Sequence, residues 1–121
     1  MSKRILVVED HEDNRQILRD LLASAGYEMI EAENGEAGVA AAALHHPDLI
    51  LMDIQLPILD GYEATRLIKS DPALKAIPII VVTSYALSGD EDKARAAGCD
   101  AYIAKPYSPR LLLARIREFL D

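Results

Sequence analysis

The chain has 121 residues, half of them apolar, and a formal net charge of −7. This length and composition predict one domain with a sizeable buried core, and the acidic charge argues against direct binding of nucleic acid, which needs clustered basic residues. No apolar run approaches the length that spans a bilayer, and the single cysteine, Cys99, cannot form an internal disulfide, so we expect a cytoplasmic protein.

Short apolar runs alternate with helical patterns from one end of the chain to the other. The first run, 5–8, is rich in β-branched residues and predicts a strand buried on both faces. A helix over 14–25 is predicted next, with its apolar residues on one face and Gly26 as a stop signal. Those apolar residues are Ile17, Leu18, Leu21, Leu22 and Ala25. A weaker, partly alternating strand over 27–32 is predicted to lie nearer the sheet edge.

The same alternation continues through the rest of the chain. An alanine-rich helix from the Asn34-Gly35 turn to Leu44 is ended by Pro47. Further strands are predicted over 49–52, 77–82 and 101–104, and further helices over 62–69, 88–98 and 109–119. The last two helices have start signals, because Ser88 to Glu91 resembles a capping box and Ser108 is an N-cap candidate before Pro109.

Five successive β–α units predict the α/β class, with a parallel sheet, helices on both faces and right-handed crossovers. We see no linker, low-complexity segment or short-period repeat. Residues 1–121 are therefore interpreted as one domain, without an output domain.

Polar residues follow almost every strand of this predicted sheet. They are Glu9 and Asp10 after the first strand, Asp53 after the third, Thr83 and Ser84 at the end of the fourth, and Lys105 after the fifth. Ligands of open parallel sheets bind beyond the carboxyl ends of the strands. If the first and third strands are neighbours, these side chains converge on one crevice.

Three carboxylates in one crevice repel one another, at a cost of about 4 kcal/mol for a pair 4 Å apart at an effective dielectric near 20. A bound Mg²⁺ removes that cost, since it prefers oxygen ligands and binds through one or two carboxylates and a phosphate oxygen. A metal, a lysine and a hydroxyl beside a carboxylate favour phosphoryl transfer to that carboxylate, with Asp53 as the nucleophile. Lys105 and Thr83 are then predicted to contact the phosphoryl oxygens.

Nucleotide-binding motifs are absent from the sequence. There is no G-x-x-x-x-G-K-[ST] loop and no G-x-G-x-x-G fingerprint. The phosphoryl group must therefore come from another protein or a small donor, which indicates a signalling acceptor.

These motifs together resemble the receiver domain of bacterial response regulators, from Lys3 to the final helix. Within that family the chain is most similar to single-domain receivers of the CheY and DivK kind. The resemblance rests on Glu9-Asp10, Leu51-Met52-Asp53-Ile54-Gln55-Leu56-Pro57, Asp60-Gly61, Val82-Thr83-Ser84 and Gly98-Cys99-Asp100-Ala101-Tyr102-Ile103-Ala104-Lys105-Pro106.

The resemblance implies a flavodoxin-like (βα)5 fold with strand order 2-1-3-4-5. It also implies a Mg²⁺ site beside a phosphoaspartate at Asp53. Asp10 and Asp53 are then metal ligands, Glu9 supports the metal through water, and the backbone carbonyl of Gln55 completes the protein ligands. Many receivers have Asp where Glu9 stands.

The resemblance also assigns residues that read the phosphoryl group. Lys105 matches the lysine that contacts it, and the Lys105–Pro106 bond is expected to be cis. Thr83 and Tyr102 match the coupled pair that transmits phosphorylation to the face of helix 4, strand 5 and helix 5. Gln55 and Tyr85 occupy positions expected to tune the lifetime of the phosphoaspartate.

The resemblance implies a signalling switch rather than an enzyme, with self-catalysed phosphoryl transfer and autodephosphorylation. The expected donor is a sensor histidine kinase or a histidine phosphotransfer protein, and the expected output is a protein contact made as a monomer or weak dimer. One alternative is a receiver module excised from a hybrid kinase. Another is a small aspartyl-phosphate phosphohydrolase, which Gln55 disfavours because such enzymes have a second acid there.

Overall fold

The computed structural model describes residues 2–83 and 90–120, and among these residues no helix has both the length and the apolar character needed to cross a membrane. Within these described ranges five strands and five helices alternate, as predicted. They are β1 (Arg4–Val8), α1 (Glu12–Ser24), β2 (Glu28–Ala32), α2 (Gly35–His45), β3 (Leu49–Met52), α3 (Gly61–Ser70), β4 (Ile79–Thr83), α4 (Asp90–Ala97), β5 (Ala101–Ala104) and α5 (Pro109–Leu120).

All strand pairs are parallel and the sheet order is β2-β1-β3-β4-β5, which confirms the predicted flavodoxin-like topology. β1 and β3 are neighbours, with Val8 opposite Met52. The sites that follow these two strands are therefore adjacent. β2 lies at the sheet edge, as its weaker apolar pattern predicted.

The core has two layers because successive side chains of each strand point to opposite faces of the sheet. One layer joins β1, β3 and β4 to α2, α3 and α4, and it includes Leu6, Ile50 and Ile68. The other joins the same strands and β5 to α1 and α5, and it includes Leu22 and Leu112. Both faces of the sheet are covered, which explains the continuous apolar runs of the central strands.

Helix α1 differs from its prediction in both its start and its buried face. It begins at Glu12, two residues early, and the acidic Glu12 and Asp13 in its first turn suit the helix dipole. Leu18 and Leu22 are buried as predicted, but Ile17 is 61% exposed, so its assignment to the core face was wrong. Arg15 is buried in α1 instead.

Strand β4 also differs from its prediction. It begins at Ile79 rather than at residue 77, since Pro78 has no N–H to donate to the ladder, and it includes Thr83. Helix α5 begins at Pro109, and Leu111 N donates to Ser108 Oγ at 3.1 Å, which confirms the predicted cap. The capping box that starts at Ser88 lies outside the described residues.

Candidate functional site

The carboxyl end of β1 places Glu9 in the interior of the site. Glu9 is only 2% exposed, and its N–H donates to the carbonyl of Ala32 at 3.0 Å, which extends the contact with β2. Its carboxylate accepts hydrogen bonds from Asn14 Nδ2 (3.2 Å), from the His11 backbone N–H (3.0 Å) and from Lys105 Nζ (3.1 Å). Although burial raises the pKa of Glu9, the His11 N–H and Lys105 outweigh it and lower that pKa to about 2. Glu9 is therefore a fixed buried anion.

Asp53 follows β3, one strand away. Its N–H donates to Val8 O at 3.1 Å, and its Oδ1 accepts from Ile54 N at 2.7 Å. Burial, and then the negative charge of Glu9, raise the pKa of Asp53 to about 6, against the opposing effect of Lys105. The group is mostly ionised at neutral pH, but it holds its negative charge at a cost that a nearby cation can relieve.

Glycines allow the segment after Asp53 to pack close to the Asp53 backbone. Gly61 begins α3 and donates its N–H to Ile54 O at 2.9 Å. A Cβ at Gly61 would lie 2.0 Å from the carbonyl oxygen of Asp53, and one at Gly35 would lie 1.8 Å from that of Leu59. The sequence motif Asp60-Gly61 therefore has a steric cause, because only glycine lets α3 approach Asp53 this closely.

Lys105 contacts residues at the carboxyl ends of two different strands, β4 and β1. Its backbone N–H donates to Thr83 O at 2.7 Å, and its Nζ reaches Glu9 Oε1 across the sheet. A small cleft between the strand ends is lined by Glu9, Asp53 and Lys105. The Lys105–Pro106 bond is cis, as the resemblance implied.

The structure also describes three other predicted site residues, which are Thr83, Tyr102 and Gln55. Thr83 is fully buried at the end of β4. Tyr102 is half-buried on β5 and packs against the core layer of α2, α3 and α4. Gln55 is exposed two residues after Asp53, and the role of its carbonyl stays a prediction. Ser84 and Tyr85 lie outside the described residues.

The donor set at the end of β1 fits a hard divalent cation. Ligand atoms of Glu9, Asp10 and His11 all lie within 4.8 Å of one another. Asp10 Oδ1 is shielded from solvent and accepts no well-formed hydrogen bond from the described residues, although His11 Nδ1 lies 3.1 Å away. Carboxylate oxygens predominate, as Mg²⁺ prefers, and a single imidazole does not make a zinc site.

Sequence reasoning missed two residues of this site, Asn14 and Arg15, and gave His11 no role. Asn14 donates to the Glu9 carboxylate, and Arg15 Nη1 donates to the Glu9 carbonyl at 2.8 Å. Both belong to the first turns of α1, where polar residues ordinarily indicate a solvated face. Only the approach of α1 to the end of β1 reveals them.

The chain is similar to known proteins over nearly its whole length. The sequence model of the response regulator receiver domain matches residues 5–117. The polar-differentiation response regulator DivK of Brucella ovis is 46% identical over 120 residues, which cover 99% of this chain and 98% of DivK. This confirms the predicted resemblance to receivers and its DivK-like character.

Solved receiver structures share the fold closely. The receiver domain of the sensor histidine kinase PA1611 from Pseudomonas aeruginosa, described with magnesium in its active-site cleft, superimposes with a TM-score of 0.92 and is 36% identical, with 99% of this chain and 98% of that one covered. A CheY-like receiver from Methanospirillum hungatei gives a TM-score of 0.93 at 35% identity, with 100% and 95% covered. The chain belongs to the response regulator receiver domain family of two-component signalling proteins.

Proposed function

We propose that Asp53 is the phosphoacceptor of this receiver, and that Glu9, Asp10, Asp53 and the carbonyl of Gln55 form its metal site. The observation that carries the proposal is the convergence of Glu9, Asp53 and Lys105 on one cleft at the carboxyl end of the sheet. These residues come from three different strand ends. A chance association of solvated acids does not account for a Glu9 that is 2% exposed.

The chemistry is a transfer of a phosphoryl group to a carboxylate oxygen of Asp53. An oxygen–phosphorus bond forms at Asp53, while the bond between phosphorus and the donor's nitrogen or oxygen breaks, and its electron pair leaves with the donor. A divalent cation, when bound, neutralises charge on the phosphoryl oxygens and among the acids. Lys105 Nζ, which donates to Glu9 in the structure, then donates a hydrogen bond to a phosphoryl oxygen.

The phosphoryl group adds a charge of about −1.5 to −2 beside the end of β4. A role for Thr83 is supported by its position at the end of β4, where its carbonyl accepts a hydrogen bond from the backbone N–H of Lys105. We propose that the Thr83 hydroxyl donates to a phosphoryl oxygen and that Tyr102 rearranges with it, which shifts a two-state equilibrium of the β5–α5 face. That face carries a groove lined by Tyr102, Tyr107, Leu111 and Arg115, where a downstream protein is proposed to bind.

The donor is proposed to be a histidine kinase or a histidine phosphotransfer protein. Membership of the receiver family and the likeness to DivK support this class of donor. The relation of the P. aeruginosa receiver to a sensor kinase supports it further, since that receiver is part of one. Mg²⁺ is the proposed cofactor, on the donor set described above.

Labelling with a small phosphodonor tests the assignment. Purified protein is incubated with acetyl phosphate and MgCl2, and the mass of the intact protein is measured. We expect a gain of one phosphoryl group for the wild type and for Asp20→Asn, a matched change of an α1 surface acid whose described contact is with Gln16. Asp53→Asn should gain none. Equal labelling of Asp53→Asn and the wild type would refute the proposal.

The lifetime of the phosphoaspartate gives a separate test of the loop residues. Gln55→Ala and Tyr85→Ala are expected to change the decay rate of phosphorylated protein after the donor is removed. The expectation follows from the position of Gln55, which is exposed beside the acceptor. Two decay rates equal to the wild type would contradict a role for either side chain.

A further inference from the structure

Arg15 is a buried arginine in a helix whose pattern does not predict one. It is 6% exposed, although a guanidinium is seldom buried unless it is paired. Ile17, two residues later, is exposed. Helix α1 therefore buries a cation at this position and leaves an isoleucine exposed. The groups that contact Arg15 must explain why its charge is tolerated there.

The partners of Arg15 come from three parts of the chain. Its Nη2 lies 2.6 Å from Glu12 in α1 and 3.3 Å from Glu33 after β2, and its Nε lies 3.2 Å from Glu31 in β2. These three carboxylates hold the guanidinium plane. The remaining nitrogen, Nη1, donates to the backbone carbonyl of Glu9 at 2.8 Å in a buried hydrogen bond.

The Glu9 carbonyl is a special acceptor because of the peptide unit to which it belongs. A peptide bond is planar, so the carbonyl of Glu9 fixes the plane that also contains the nitrogen and Cα of Asp10. The Glu9 N–H is already held by Ala32 O at 3.0 Å. With both sides of Glu9 held, the positions of the Asp10 nitrogen and Cα are fixed, and the Asp10 side chain leaves the backbone from that fixed point.

We propose that Arg15 is a positioning residue that orients Asp10 and Glu9 for divalent-cation binding through the Glu9 carbonyl. The inference rests on the proposed metal site, and it concerns this chain's own α1 residue. Partners that orient a metal ligand commonly change metal affinity about 10-fold or more when removed.

The charge of Arg15 and its position predict opposite effects on metal affinity. As a cation near the site, Arg15 repels a second cation, and its removal also takes one positive charge away from three carboxylates. If charge were its only contribution, a neutral replacement would tighten Mg²⁺ binding. If Arg15 positions the acids, the same replacement weakens binding.

Arg19 supplies a matched control in the same helix. It contacts two of the same three carboxylates, with Nη2 at 2.6 Å from Glu31 and 3.2 Å from Glu12, and its other described contact is Gln16. Arg19→Met thus removes one positive charge from the same acids, and leaves the bond from Arg15 to the Glu9 carbonyl in place.

The experiment is an amide chemical-shift titration with MgCl2 on the wild type, Arg15→Met, Arg15→Lys and Arg19→Met, each shown to be folded by its spectrum. We expect affinity for Mg²⁺ to fall about 10-fold in Arg15→Met and to be unchanged or tighter in Arg19→Met. Arg15→Lys should lose affinity too, because one ammonium cannot serve the carbonyl and three carboxylates at once.

The outcomes separate the inference from the proposed metal site. Mg²⁺ binding by the wild type that is lost in Asp10→Asn supports the site itself. Binding by Arg15→Met and Arg15→Lys as tight as the wild type or tighter overturns the positioning role and leaves the site standing. If Arg15→Met fails to fold, Arg15→Lys decides, since it keeps the charge. No binding by the wild type overturns both proposals.

Discussion

Two charged clusters lie at opposite ends of the sheet, and they are built differently. At the amino end, Lys69 Nζ donates to the carbonyls of Lys75 and Ile77 and to Asp100 Oδ2, at 2.8–3.0 Å. Asp100 Oδ2 also accepts from Ile79 N at 2.8 Å. One cation meets one anion, and every donor has an acceptor, so this cluster fastens α3 and β5 to the start of β4.

At the carboxyl end the charges do not balance. Glu9, Asp10 and Asp53 bring three carboxylates to a site where Lys105 is the one described ammonium in contact with Glu9. The pKa of Asp53 is raised to about 6, by burial and then by the charge of Glu9. The ionised form of Asp53 is therefore disfavoured at this position. The contrast is consistent with a stabilising role for the amino-end cluster, and it supports our proposal that the carboxyl-end cluster receives a cation and a phosphoryl group.

The largest effect is expected at the glycine that packs on the acceptor. Gly61→Ala should destabilise the protein by about 3 kcal/mol or more, because its Cβ would lie 2.0 Å from the Asp53 carbonyl oxygen. Gly26→Ala, with φ of +86° but open space around it, should cost about 1 kcal/mol. Urea denaturation measures both. Equal losses would show that close approach to Asp53 does not constrain this loop.

Substitution of Lys69 should mainly lower stability, whereas substitution of Lys105 should mainly slow phosphorylation. Lys69→Met removes the lysine donor to two carbonyls and one of the two described donors to Asp100 Oδ2, and it should cost about 2 kcal/mol of unfolding free energy, with normal labelling by acetyl phosphate. Lys105→Met should cost about 1 kcal/mol and slow labelling about 100-fold. Urea denaturation and the labelling rate are measured on both variants. A slower rate in Lys69→Met with Lys105→Met unaffected would reverse the assignment.

The raised pKa of Asp53 makes stability depend on pH in a predictable direction. The folded state binds this proton more tightly than the unfolded state, so the contribution of Asp53 to stability is lost as pH rises from about 4 to about 6. In metal-free buffer, Asp53→Asn should be more stable than the wild type by about 2 kcal/mol above pH 6, a value reduced for partial exposure. The difference should vanish near pH 4.

The contribution of Glu9 to stability depends on pH in the opposite direction to that of Asp53. Glu9 therefore provides a control. Although burial acts against it, the His11 N–H and Lys105 lower its pKa to about 2, and the stability it contributes is lost as pH falls from about 4.5 toward 2. Stability curves measured by urea denaturation across pH 2–8 should show both slopes. A stability gap between Asp53→Asn and the wild type that is constant with pH would contradict the raised pKa of Asp53.

Metal binding is expected to stabilise the protein by a modest amount. At a concentration ten times its dissociation constant, Mg²⁺ should raise the unfolding free energy of the wild type by about 1.4 kcal/mol, and chelation with EDTA should reverse it. Asp10→Asn should lose most of this gain, while Lys69→Met, at the other end of the sheet, should keep it. An equal gain in Asp10→Asn would remove Asp10 from the metal site.

The sequence predicts much of the carboxyl-end site, because the site depends on which residues end the apolar strands. Residues that end apolar strands, such as Asp53 and Lys105, were placed at one sheet edge by topology alone. Ile17 was placed on the apolar face of α1 and Arg15 was given no role, because helical periodicity shows which residues share a face but not how far the helix is rotated toward a polar site. The contact between Arg15 and the Glu9 carbonyl, six residues apart in the chain, is visible only in the folded structure.

The central claim is that the acceptor is Asp53 itself. After acetyl phosphate labelling with MgCl2, reduction by borohydride converts a phosphoaspartate to homoserine, and peptide mass spectrometry then locates the altered residue. We predict that the change maps to Asp53. A change that maps to Glu9, Asp10 or Asp100 instead would contradict the account.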